Sequence, residues 1–90
     1  MALGFYFHPE GMTTAKYDEI IKDLEAAGQG RPKGRLHHSA FGAPDGLSVF
    51  DVWTSQEDFD AFGQTLMPIL EKHGLDAGQP DVVPVHNMIQ

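Results

Sequence analysis

The sequence contains no cysteine, which excludes disulfides, thiol nucleophiles and thiolate metal sites together. Positive charge is also scarce: six Lys and Arg stand against thirteen Asp and Glu, a net charge of −7. With a pI near 4.9, the chain lacks the clustered cations that nucleic acid or an anionic membrane surface requires, so neither is expected as a partner. No apolar run approaches the length of a membrane span. Met1 to Phe7 holds no Lys or Arg and its apolar run stops at His8-Pro9, so it does not read as a signal peptide, and a cytoplasmic protein is expected. Internal repeats and low-complexity segments are missing as well. There remains an ordinary globular composition of 90 residues, read as a single domain over 1–90 in which oligomerisation would add useful buried area.

The patterning that is present begins with Leu3, Phe5 and Phe7 alternating against Gly4, Tyr6 and His8, a strand closed by Pro9 and Gly11. Both of its faces carry aromatics. Thr13 then caps a helix to about Ala27, with Tyr17, Ile20, Ile21, Leu24 and Ala27 at helical spacing and Gly28 as its stop. The Gly-rich stretch that follows, Gly28 to Gly34, comes after a helix rather than a strand and lacks dinucleotide-fingerprint spacing, which argues against nucleotide binding. A second strand is expected from about Arg35 to Phe41, and Ala43-Pro44-Asp45-Gly46 turns the chain into a third strand ending at Trp53. Ser55 reads as the N-cap of a second helix, with Gln56, Glu57 and Asp58 in its first turn, where free N–H groups and the helix dipole favour acids. Its apolar stripe is Phe59, Phe62, Leu66, Ile69 and Leu70; Pro68 is expected to kink or divide it before Gly74. Val82 to Ile89 closes the chain as a fourth strand.

The order is therefore βαββαβ, an α+β ferredoxin-like arrangement whose usual solution is a four-stranded antiparallel sheet with both helices on one face. The other sheet face is then bare although its strands read apolar or aromatic on both sides, so a homodimer through the sheet faces is expected. Asp51 lies between Phe50 and Val52, and a carboxylate inside an apolar strand must be exposed at an edge, paired or protonated. The turn fixes its partner. If Ala43 to Gly46 form a four-residue loop, Gly42 pairs with Leu47, Ala40 with Val49, His38 with Asp51 and Leu36 with Trp53; a loop one residue longer places His37 opposite Asp51. The first register is preferred because it gathers Leu36, Ala40, Leu47, Val49 and Trp53 on one face. An imidazole held by a carboxylate is oriented for general-base removal of a proton from a phenol or activated carbon; the same pair would also serve simply to satisfy two buried polar groups.

The element order over nearly the whole chain, and the segment Asp51-Val52-Trp53-Thr54-Ser55-Gln56-Glu57-Asp58-Phe59 passing into a helix, resemble the dimeric α+β barrel superfamily that contains the antibiotic-biosynthesis monooxygenases. The resemblance implies a homodimer with a shared barrel and a small-molecule cavity between each sheet and its helices. Members include cofactor-independent oxygenases, haem-degrading enzymes, isomerases and decarboxylases, so membership does not dictate a reaction. The haem-degrading branch pairs a strand Trp, which Trp53 matches, with a His about one helix on and an Asn on the first strand. Helix two has no His before His73 and strand one has no Asn. No cofactor is expected.

On this reading His38 and Asp51 are the catalytic candidates. Tyr6, Trp53, Phe59, Phe62 and His86 are candidates for lining the site of a hydrophobic small molecule: the hydroxyl of Tyr6, and that of Tyr17, would orient a phenol or quinone, while the rings supply flat walls. Core packing is the alternative role for each of these aromatics. His8, His38 and His86 show no i, i+4 spacing and no H-E-x-x-H pattern, so no metal site is expected. His73 is assigned to the end of helix two, where its positive form suits the dipole. Arg31, Lys33 and Arg35 read as a solvated loop balancing nearby acids.

Overall fold

A computed structural model describes residues 2–89. The elements run β1 (Leu3–Phe7), α1 (Thr14–Ala26), β2 (Arg35–Ala43), β3 (Gly46–Trp53), α2 (Gln56–Lys72) and β4 (Asp81–Pro84). The four strands form one antiparallel sheet in the order β2-β3-β1-β4. Both helices bury their apolar stripes against one face of it: Ile20 and Leu24 from α1 and Phe59, Phe62 and Leu70 from α2 meet Phe5, Phe7, Leu47, Val49 and Trp53. The α+β ferredoxin-like reading therefore holds.

Local chemistry accounts for the helix ends. The Thr13 side chain accepts the Lys16 N–H at 3.1 Å, and that of Ser55 accepts the Asp58 N–H at 3.2 Å. The two C-termini close alike, with Gly28 and Gly74 in left-handed conformation and the following N–H groups of Gln29 and Leu75 returning to the carbonyls of Leu24 and Leu70. Pro68 does not divide α2, which is continuous from Gln56 to Lys72. The prolyl residue and Gln64, whose carbonyl loses its usual partner, are both exposed, so water can take that bond.

Two strand expectations need correction. The register of the β2–β3 hairpin is as expected from Gly42↔Leu47 through Ala40↔Val49 to His38↔Asp51, but a bulge at Leu36 then intervenes. Arg35, not Leu36, stands opposite Trp53, and Leu36 turns outward to 43% exposure. One extra residue on one strand is enough to exchange which side chain faces inward. The fourth strand is Asp81–Pro84 rather than Val82 to Ile89. Its partner β1 begins at Leu3, opposite Pro84, and one further bond from the Val85 N–H to the Ala2 carbonyl is where the pairing ends among the described residues.

The face away from the helices carries Tyr6, Phe41, Phe50 and Val83. Gly4 sits under this layer, and a Cβ there would lie 2.9 Å from the tip of the Phe50 ring and 3.4 Å from Val83. Only glycine allows that close an approach without moving the ring.

Candidate functional site

Asp51 is drawn into the core by its strand neighbours. Alternation puts it on the helix-covered face between Val49 and Trp53, where it is 5% exposed. Leaving a carboxylate there without partners would be costly, and the fold supplies two. His38, directly across the hairpin, places Nδ1 2.5 Å from Asp51 Oδ1, and the Trp53 indole N–H donates to Oδ2 over a longer 3.4 Å. An ionised carboxylate can only accept, so Nδ1 of His38 carries the proton of that bond. In the neutral ring the other nitrogen, Nε2, is then an acceptor, and the Tyr17 hydroxyl from α1 donates to it at 2.6 Å. The phenol and imidazole planes are within 3° of parallel, with 5.9 Å between ring centroids.

The result is a chain of four groups anchored on three different elements, with Asp51 and Trp53 buried and Tyr17 and His38 partly buried. Burial first, and the Asp51 carboxylate second, raise the Tyr17 pKa above the ordinary phenol value, while the Arg35 guanidinium pulls the other way. Tyr17 is thus a protonated donor at neutral pH rather than a phenolate. Among the described residues no buried side-chain polar atom lacks a partner, so this chain is fully satisfied.

His38 and Asp51 border an apolar cavity between the sheet and the helices, walled mainly by Phe7, Met12, Ile20, Phe62, Leu66 and Leu70. Its free space is about 70 Å³. Tyr17, Ile21, Leu24, Arg35 and His38 also form the inner edge of a second, open cleft of about 510 Å³, whose outer rim is polar: Asp18, Lys22, Glu25, Gln29 and Gly30. His38 and Tyr17 accordingly border both an apolar pocket and a polar cleft.

Of the five side chains expected to touch a ligand, Phe62 lines the inner cavity. Trp53 and Phe59 pack edge to face behind it, with Phe59 stacked on Phe5 at 4.3 Å between ring centroids. Tyr6 lies on the opposite sheet face, where its hydroxyl donates to Ser48 Oγ at 3.3 Å. His86 lies beyond the end of β4, exposed and away from the cavity. His73 caps α2 as expected and adds a 2.8 Å bond from Nε2 to Asp23 of α1. Sequence reasoning passed over Arg35 as a member of the site, and gave Tyr17 a ligand-orienting hydroxyl without its His38 partner. Arg35, read as a solvated loop residue, is turned inward by the Leu36 bulge, which has no sequence signature here. Tyr17 carried a signal: a hydroxyl on the buried stripe of an amphipathic helix needs a partner, and His38 is within reach.

Among the described residues no cluster of three or more His, Asp or Glu could hold a metal ion, and no helix is long and apolar enough to cross a membrane. No family model and no curated protein matches the chain. Solved structures do. A variant of SnoaB, a cofactor-independent oxygenase from Streptomyces nogalater, superimposes with a TM-score of 0.69 over 98% of this chain and 96% of that one, at 14% identity. The chain shares the α+β fold of this oxygenase. A protein from Chloroflexus aurantiacus, provisionally described as an antibiotic biosynthesis monooxygenase, shares this fold with a TM-score of 0.57 and 20% identity over 97% of this chain and 94% of that one. A Nitrosomonas europaea protein of unknown function does so too, with a TM-score of 0.61 and 15% identity over 99% and 91%. At such identities the likeness is one of fold, and the chemistry has to be argued from this chain's own residues.

Proposed function

We propose that the chain is a homodimeric small-molecule-binding protein acting as a cofactor-independent oxygenase on a flat, hydrophobic phenol or enol of aromatic or polyketide-like type. The observation that carries this reading is the His38–Asp51 pair, 2.5 Å apart, both members of which border an apolar cavity. In the proposed reaction His38 Nε2 takes the hydroxyl proton of the substrate, and Asp51 stabilises the resulting imidazolium. The electron pair left behind delocalises over the ring system. Dioxygen then serves as oxidant and co-substrate: at an activated CH₂ carbon one oxygen atom becomes the new carbonyl, and the other leaves as water with the two displaced hydrogens. The overall fold likeness to SnoaB supports this class of reaction without naming a substrate. Dimerisation is supported by the open sheet face, where Phe41 and Val83 are 47% and 48% exposed.

The test is dioxygen uptake by the purified protein with a panel of anthrones and naphthols. Asp51→Asn is expected to lower turnover at least about a hundredfold, since the amide keeps the shape but cannot balance the imidazolium. A melting temperature within a few degrees of wild type would show that the loss is chemical. Consumption of none of the panel by wild type, or equal turnover by the variant, would overturn the catalytic reading.

A second reading, a binding protein without catalysis in which the pair is structural, is favoured by one observation. His38 Nε2 is already occupied by Tyr17. Mass spectrometry of ligands that co-purify with the protein separates the two: an unreacted phenol supports binding alone, an oxygenated product supports turnover.

A further inference from the structure

The inner cavity is too small for the ligand its walls suit. An apolar cavity of roughly 150 Å³ accommodates a benzene ring, whereas the space here is about 70 Å³. The larger cleft outside has the volume, and Tyr17, Ile21, Leu24, Arg35 and His38 line both spaces. Among these Tyr17 alone is both a flat ring and a hydrogen-bond partner of His38. Its ring fills a phenol-shaped volume, and its hydroxyl already sits where a general base would hold the hydroxyl of a substrate.

We infer that Tyr17 is a displaceable internal ligand of His38, a gate whose ring keeps cleft and cavity apart and whose hydroxyl a hydroxylated ligand must replace at Nε2. This inference rests on the proposed role of His38, but it concerns access to that residue rather than turnover. Several features agree with it. Tyr17 is only partly buried, at the cleft edge of α1 and packed against the core, so its ring has a way out toward solvent while Ile20 and Leu24 supply that helix's buried contacts. Once it does, the vacated volume joins the cavity to the cleft and exposes the imidazole acceptor. That acceptor would otherwise lose its bond, so a ligand bearing a hydroxyl restores what the opening costs and a plain hydrocarbon does not. The gate therefore selects for a hydroxyl as well as for shape. The cleft lining as a whole offers Asp18 and Glu25 against Lys22 and Arg35, two charges of each sign, so its formal charges impose no net preference on the ligand.

The expected behaviour follows from occupancy. A site open for only a fraction of the time binds more weakly by that fraction, and removing the closing bond raises apparent affinity by the same factor. The experiment measures binding of 2-naphthol and of naphthalene to full-length wild type, Tyr17→Phe and Tyr17→Ala by calorimetry or ligand fluorescence. Tyr17→Phe keeps the ring and removes one hydrogen bond, so 2-naphthol should bind about fivefold tighter than to wild type. Tyr17→Ala removes the ring as well and should give at least about a tenfold gain, with 2-naphthol preferred over naphthalene. Adding His38→Ala to Tyr17→Ala should abolish that preference. In wild type, the same probe should move the NMR signals of the Tyr17 ring.

Equal affinity of wild type and Tyr17→Phe, or naphthalene bound as tightly as 2-naphthol in the open variant, would overturn the gate. Failure of the oxygenase reading looks different. In that case 2-naphthol binds with the expected order of affinities, yet no dioxygen is consumed with any member of the phenol panel.

Discussion

The two faces of the sheet are built from the same kinds of residue and end up doing different things. The covered face holds Phe5, Phe7 and Trp53 around His38 and Asp51; the open face holds Tyr6, Phe41 and Phe50 near His8 and Ser48. Each histidine is held by a partner on the neighbouring β3 strand, His38 by a carboxylate at 2.5 Å and His8 by a hydroxyl at 2.7 Å. Helices seal the first pair against apolar side chains, where a carboxylate interacts strongly because little water screens it. His8 is exposed, and its partner is neutral. An inner aromatic residue therefore belongs to a core or a pocket wall, while an outer one belongs to a surface that remains to be covered. The comparison teaches that what is packed above a face assigns its work, more than the residues in it.

Breaking the inner face should cost most. Trp53 is fully buried and packs against Phe59 and Phe62, so Trp53→Ala is expected to lower stability by about 3–5 kcal/mol. Part of that loss is the second partner of Asp51. Thermal or urea melts check it, and an unchanged midpoint would put the indole outside the core. On the open face, Phe41→Asp should change the stability of a monomer by no more than about 0.5 kcal/mol, because an exposed ring loses little when replaced. In a dimer joined through this face it should instead weaken association, by burying a charge. Sedimentation at micromolar concentration distinguishes the two; a wild-type protein that is already monomeric would remove the proposed interface.

The smallest effect is expected away from both faces, at Asp23, which tethers α1 to the end of α2. Hydrogen bonds from His73 and then Lys72 hold its carboxyl below the usual carboxylate range. A lowered folded value means that Asp23 stabilises the fold above its unfolded pKa and ceases to do so as pH falls through the folded one. Asp23→Asn should then melt slightly earlier than wild type at neutral pH. The difference should begin to shrink near about pH 4, where the unfolded carboxyl takes up its proton, and close once the folded carboxyl does so at lower pH. Melts recorded across this range give a surface baseline for the other two substitutions, and a gap that widened in acid would contradict the sign.

Much of this was readable from the chain because the signals are local. Strand alternation in Leu3 to His8, the caps at Thr13 and Ser55 and the stops at Gly28 and Gly74 each act within a few residues, and the βαββαβ order follows from them. The register that sets His38 against Asp51 was also accessible, since a short turn at Pro44-Asp45 leaves few ways to pair two apolar strands. The fourth strand was overextended because its apolar run continues past the point where β1 has residues left to pair. Pro68 was overweighted, because its cost depends on whether water reaches the carbonyl it strands.

By itself, then, the sequence determined the element order, the antiparallel hairpin and the identity of the buried acid and its histidine partner. Tertiary structure decided which other groups reach that pair. The bulge at Leu36 turns Arg35 inward, and the seating of α1 brings the Tyr17 hydroxyl to His38 Nε2, where cavity and cleft share their lining. Contacts between a helix and a strand 21 positions away depend on how whole elements pack, and packing is set by the summed fit of many side chains rather than by any short stretch of chain.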